Sequence, residues 1–166
     1  MKRLPIAAAI VVTLAAPTVL AQNATLHARL SGYNETPQTI STAGSGEFKA
    51  KIVGDSIEYE LSYEDLQGSI TQAHIHFGQA GLSGGIAAWL CQTATNPGPA
   101  GTPLCPGPNA GSVSGTITPA QVIGPAGQGI SAGEFDALIA ALKEGAAYAN
   151  VHTTFVGAGE IRGQIK

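Results

Sequence analysis

Gly46-Glu47-Phe48-Lys49-Ala50-Lys51-Ile52-Val53-Gly54-Asp55-Ser56-Ile57-Glu58-Tyr59-Glu60-Leu61-Ser62-Tyr63-Glu64-Asp65-Leu66 is the stretch that decides the fold class. Phe48, Ala50 and Ile52 alternate with Glu47, Lys49 and Lys51. After the turn signal Gly54-Asp55, Ile57, Tyr59, Leu61 and Tyr63 alternate with Glu58, Glu60 and Glu64. Successive side chains of a strand point to opposite faces, so a period of two gives one apolar and one polar face. The stretch is therefore a β-hairpin, half-buried, with its charges outward.

Working outward, the same period recurs. Residues 25–32 place Leu26, Ala28 and Leu30 opposite His27, Arg29 and Ser31. Further strands are predicted at 70–77, 84–90, 112–117, 146–153 and 159–165, the last two forming a hairpin across Phe155-Val156-Gly157-Ala158-Gly159. One segment breaks the pattern. Ser131-Ala132-Gly133-Glu134 reads as a capping box, with Ser131 as N-cap and Glu134 at the third helical position. Phe135, Leu138, Ile139 and Leu142 follow at helical spacing, and Gly145 ends the helix. A shorter helical turn is expected at Thr118-Pro119. About eight short strands and one late helix predict a mainly β fold: an antiparallel β-sandwich or flattened barrel with one inserted α-helix near the C-terminal third.

The N-terminus is of another kind. Lys2 and Arg3 precede an apolar run from Leu4 to about Ala16, and Val19-Leu20-Ala21 offers a cleavage site. This is the pattern of a secretory signal peptide. The run falls short of the roughly 20 residues that span a bilayer, so residues 1–21 are expected to be removed, leaving one domain at 22–166. No Cys follows the cut, so no lipoprotein anchor is indicated, and no membrane span is expected in the mature chain. The formal charge of −3 for the whole chain becomes −5 without Lys2 and Arg3. An acidic domain with so few cations does not suit nucleic acid. A secreted or periplasmic location follows from the signal. In an oxidising compartment the two cysteines, Cys91 and Cys105, are expected to pair. They would close part of an irregular Pro- and Gly-rich loop at 95–111. Asn23-Ala24-Thr25 and Asn34-Glu35-Thr36 fit the N-glycosylation pattern, which matters only in a glycosylating host.

Chemistry concentrates in Ala73-His74-Ile75-His76-Phe77-Gly78. On a strand, His74 and His76 share a face, about 7 Å apart at Cα, while Ala73, Ile75 and Phe77 face the core. Two imidazoles so held can ligate one metal. His152, in Ala149-Asn150-Val151-His152-Thr153, would be a third ligand if its strand lies beside the first. Three neutral imidazoles suit copper or zinc. The plainer alternative is a set of hydrogen-bonded histidines on a polar face. His27 is expected to be solvent-exposed. On the last strand, Glu160 and Arg162 share a face. They read as an ion pair on that face, or Glu160 orients a histidine ligand from behind. Glu35 and Pro37 fall in a turn and read as structural.

These residues also carry a resemblance. Ala73-His74-Ile75-His76-Phe77-Gly78 with its Gly-rich continuation, Ala149-Asn150-Val151-His152-Thr153, and Gly159-Glu160-Ile161-Arg162-Gly163-Gln164-Ile165 resemble the CHRD domain, first described in chordin. Leu30-Ser31-Gly32-Tyr33-Asn34-Glu35-Thr36-Pro37 is similar to that family's opening motif. The resemblance runs from about Leu26 to Lys166 and implies an extracytoplasmic β-rich module without a defined activity. The long loop between Cys91 and Cys105 departs from the simplest family pattern. A local likeness links His74-Ile75-His76 to the His-Val-His strand of copper/zinc superoxide dismutases. Only His74 and His76 carry over, since no match for the bridging histidine or the zinc loop is evident.

No nucleophile elbow, phosphate-binding loop or paired carboxylates are readable; Gly44-Ser45-Gly46 is too short for the first of these. The reading therefore favours a non-enzyme: a secreted or periplasmic binding module of unknown ligand. One alternative is a copper- or zinc-binding protein, redox-active or not, built on His74, His76 and His152 with Glu160 and Arg162 behind them. Another is an extracellular interaction or matrix protein that uses the 95–111 loop.

Overall fold

The computed structural model describes residues 25–166. The expected signal segment, 1–21, and Asn23 of the first glycosylation pattern lie outside the described residues. Eight strands form: β1 (Thr25–Ser31), β2 (Ser45–Val53), β3 (Ser56–Glu64), β4 (Ile70–Phe77), β5 (Gly85–Cys91), β6 (Gly111–Ile117), β7 (Ala147–Thr153) and β8 (Ile161–Gln164). One helix, α1 (Phe135–Lys143), lies between β6 and β7. Every strand foreseen in the sequence is present, although β8 starts at Ile161 because the chain is still turning through Gly159.

The strands form one antiparallel sheet in the order β5-β4-β7-β8-β1-β2-β3-β6. It curls until its edge strands β5 and β6 approach each other, so the architecture is a nearly closed barrel and not two facing sheets. Tyr59 on β3 reaches across this seam and donates its hydroxyl to the Leu90 carbonyl of β5 at 2.6 Å. The β2–β3 hairpin pairs as its pattern requires. Phe48 faces Leu61, Ala50 faces Tyr59 and Ile52 faces Ile57, while Lys49 lies opposite Glu60 and Lys51 opposite Glu58. Opposite charges directly across an antiparallel pair favour that register by a few tenths of a kcal/mol each.

The inward faces make one core. Phe48, Ile57, Leu61, Ile75, Leu90, Ile117 and Ile161 are fully buried there, joined by Leu138 and Leu142 of α1. β8 can lie close to β1 because Gly163 has no side chain; a Cβ there would stand 2.4 Å from the Arg29 carbonyl oxygen.

The start of the helix differs from the capping-box expectation. The Ser131 backbone N–H does bond the Glu134 carboxylate at 2.5 Å, but the helix begins at Phe135 and Glu134 occupies the N-cap. Gly133, at φ +85°, holds the preceding turn open while its N–H bonds the Val122 carbonyl, so Ser131 is kept out of the first helical turn. The short helical turn at Pro119–Gln121 forms, with Thr118 and Gln121 bonded to each other at its start. Cys91 and Cys105 lie at disulfide distance, 2.04 Å between sulfurs. The irregular segment between them folds back onto the end of β5 through Gln92, whose side chain takes the Gly98 N–H and whose backbone bonds Pro103 and Cys105.

Candidate metal centre

β4 and β7 are neighbours, which the topology had to decide. Their register sets Ile75 against Ala149 and Ala73 against Val151 on the core side. On the outer side it sets His74 against Asn150, His76 against Tyr148 and Gln72 against His152. Unlike the outer face of the β2–β3 hairpin, this one is not open to water. His74, His76 and His152 are 0, 8 and 7 % exposed. Two segments cover them, residues 78–84 after β4 and residues 154–160 before β8. His76 Nδ1 lies 2.9 Å from the Gly84 carbonyl oxygen, and His152 Nδ1 lies 3.0 Å from that of Gly157. Gly84 must be glycine for this, since a Cβ there would overlap the Phe77 carbonyl.

Those carbonyls fix the protons. A carbonyl only accepts, so Nδ1 of His76 and of His152 must each carry the hydrogen, and each neutral ring has a bare Nε2. His74 Nδ1 stands 3.1 Å from His152 Nε2 and donates to it. Among the described residues, His74 Nε2 and His76 Nε2 are then bare, buried and without any hydrogen-bond partner. Buried nitrogens are seldom left so, because desolvation without a partner costs about 1–3 kcal/mol each. One nitrogen from each of the three rings lies within 4.8 Å of the others. Burial drives all three imidazoles toward the neutral form: His74 far below the usual histidine range with help from its two histidine neighbours, His76 to about 4, and His152 downward. Neutral imidazole is the ligand form.

The surroundings are aromatic. Trp89 of β5 stands edge-on to His74 at 4.3 Å between centroids. Tyr148 stacks on His76 at 4.8 Å and carries the Arg162 guanidinium 3.4 Å from its own ring centre. Arg162 also donates to the Thr36 hydroxyl and to the carbonyls of Gln79 and Leu82, which anchors the 78–84 segment. Next to it Glu35, 7 % exposed, accepts from Asn150 Nδ2 at 2.6 Å. Burial raises the Glu35 carboxyl to about 7, against the opposing pull of Asn150 and Arg162. A groove of about 950 Å³ over the outward side of β8, β1 and β2 runs up to Glu35 and Arg162.

The two residues expected to pair behind the histidines have gone separate ways. Glu160 is fully buried and accepts from Thr42, Gln67, Gly68 and Thr153, while Arg162 serves the aromatic stack. They form no ion pair with each other, and Glu160 bonds none of the imidazoles; its nearest link to them is Thr153, the residue after His152. Glu160 precedes the first residue of β8, so strand alternation does not hold it on the Arg162 face. His27 is exposed, as expected. Sequence reading passed over Trp89, Tyr148 and Asn150. The last two share the His152 face by strand period, so that signal was present, whereas the Gly84 and Gly157 carbonyls have none.

The class is now defined: an eight-stranded, nearly closed antiparallel barrel with buried polar side chains on the outer face of β4, β7 and β8. The family model of the CHRD domain matches residues 26–165, essentially all the described chain, and the protein belongs to that family. CHRD domains are typically extracellular or periplasmic, and a disulfide suits such a compartment. No curated protein and no solved structure matches the chain.

Proposed function

We propose that this protein is an exported CHRD-domain binding module, freed of residues 1–21, that holds one copper or zinc ion on His74, His76 and His152 without turnover. The observation that carries the reading is the pair of bare, buried nitrogens on His74 and His76, in a cluster of three imidazoles that each bring a ring nitrogen within 4.8 Å of the others. The hydrogen bonds to His152, Gly84 and Gly157 use the N–H of each ring and leave these two lone pairs unused. A metal with bonds of about 2.1 Å holds two nitrogens no more than about 4.2 Å apart. The widest spacing of 4.8 Å thus requires the rings to close in by roughly half an ångström. The Gly84 and Gly157 carbonyls supply the outer support that metal-binding imidazoles need, by fixing tautomer and ring orientation.

Metal analysis of untagged protein tests this. About one equivalent of copper or zinc is expected, as purified or after reconstitution, with loss of binding in His74→Asn and His152→Asn. Less than about a tenth of an equivalent after reconstitution sinks the reading. Trp89 is the only tryptophan in the chain and touches His74, so its fluorescence reports binding at this place and not elsewhere.

A further inference from the structure

We propose that the His74–His76–His152 centre is selective for a monovalent d10 ion, Cu(I), over Zn(II) and Cu(II); this rests on the metal-binding reading above. Three observations converge on it.

The first is charge. The donor group consists of three neutral imidazoles, and among the described residues no carboxylate or thiolate belongs to it. Of the charged groups nearby, Arg162 is a cation that acts on His76, and burial raises the Glu35 carboxyl to about 7, so that it is not a full anion near neutral pH. The surroundings therefore offer no net anion to a bound cation. The cost of taking an ion from water into a buried site grows with the square of its charge, so a dication pays about four times what a monocation does.

The second is coordination number. Structural zinc is almost always four-coordinate, with tetrahedral ligands. Two of the polar side chains beside the imidazoles are engaged elsewhere. The Tyr148 hydroxyl takes the Gly84 N–H at 3.0 Å, and Asn150 Nδ2 serves Glu35 and the Ile161 carbonyl. Among the described residues no fourth histidine and no carboxylate or thiolate joins the three nitrogens; Cu(I) accepts such a set as it stands, whereas Zn(II) on three histidines adds a water as its fourth ligand.

The third is shielding. Trp89 and Tyr148 flank His74 and His76, and the segments at 78–84 and 154–160 pin two of the rings from outside. Water is thereby kept from completing the shell of a dication.

The experiment is a pair of competition titrations on untagged full-length protein, each read by Trp89 fluorescence. One uses Cu(I) held by a bicinchoninate buffer without oxygen, and the other Zn(II) against a chromophoric chelator. Cu(I) is expected to bind at least about a hundredfold more tightly than Zn(II), and Cu(II) added under air is expected to give no stable spin signal from a protein-bound, imidazole-ligated ion. Zn(II) binding as tightly as Cu(I), or a tight Cu(II) complex, overturns the selectivity while leaving the metal site standing. No response to any of the three overturns the site itself. Should His152→Asn fail to fold, His76→Gln, whose amide cannot replace a copper-binding imidazole, serves as the second variant. Undiminished Cu(I) affinity in a folded variant likewise refutes the proposal.

Discussion

Replacing Glu160 by glutamine should destabilise the fold far more than its small change of shape suggests. The carboxylate is completely buried. One oxygen takes the Thr42 hydroxyl and the Gln67 N–H, both at 2.7 Å. The other takes the Thr153 hydroxyl at 2.7 Å and the Gly68 N–H at 3.2 Å. These bonds tie the segment before β2 and the turn before β4 to the end of β7. A glutamine amide can present an oxygen to only one pair of donors and turns an NH₂ group toward the other. Two hydrogen bonds to a charged group are lost, at roughly 1.5–3 kcal/mol each, so Glu160→Gln should cost about 3–6 kcal/mol. Thr153 cannot rescue its bond by reversing, because its oxygen already accepts the Phe155 and Val156 N–H groups. For a domain of this size the loss corresponds to a fall in Tm of about 10–20 °C. Urea unfolding followed by Trp89 fluorescence and far-UV circular dichroism measures it. The pH dependence adds a second check. Burial opposes the charge on Glu160, but the four donors outweigh it and hold the carboxyl below its ordinary value of 4.5. A depressed carboxylate stabilises fully above the unfolded value and loses that contribution as pH falls through the folded one. The gap between wild type and variant should thus be widest near pH 7 and shrink below about pH 4.5. A cost under about 1 kcal/mol, or a gap that does not change with pH, would refute the reasoning.

Tyr59→Phe removes the one hydroxyl that crosses the seam to Leu90, and should cost about 1–2 kcal/mol with faster amide exchange in β5. Exchange rates unchanged in β5 would show that the seam holds without it. Arg162→Lys keeps the charge but cannot span Thr36, Gln79, Leu82 and the Tyr148 ring at once. Limited proteolysis should then cut within residues 79–83 well before the wild type is touched. Reducing Cys91–Cys105, separated by 14 positions, should lower stability by about 3 kcal/mol in the chain-entropy model. A denaturation midpoint indifferent to reductant contradicts that. Gly163→Ala would force a Cβ against the Arg29 carbonyl and should prevent β8 from docking, giving little folded protein on expression.

Much of this architecture can be read from the chain because its determinants are local. Alternation in Phe48-Lys49-Ala50-Lys51-Ile52 needs no partner to be recognised, and most of the strands carry some version of it; β5 is legible instead as a short apolar run. The helix core from Phe135 to Leu142 is equally plain. Its first turn was less so, since Ser131 and Glu134 have the right spacing, yet Gly133 and the Val122 carbonyl hold the chain away from the helical path. The site divides along the same line. That His74 and His76 share a face follows from strand period alone. That this face would be buried does not, because the cover comes from residues 78–84 and 154–160, whose own sequence has no period to read.

The sequence by itself determined the strands, the inward faces, the cysteine pair and the two-histidine face, because each depends on residues a few positions apart. Tertiary structure alone decided that β4 lies beside β7, which brings His152 to His74 across 78 positions. It also decided that the sheet closes as a barrel and that Glu160 and Arg162 part company. The reason is physical. Strand order depends on which edges pair and which loops cover them, and those choices are set by the summed packing of the whole domain. A one-residue offset before β8 was enough to turn one carboxylate toward four donors and away from the arginine two positions along.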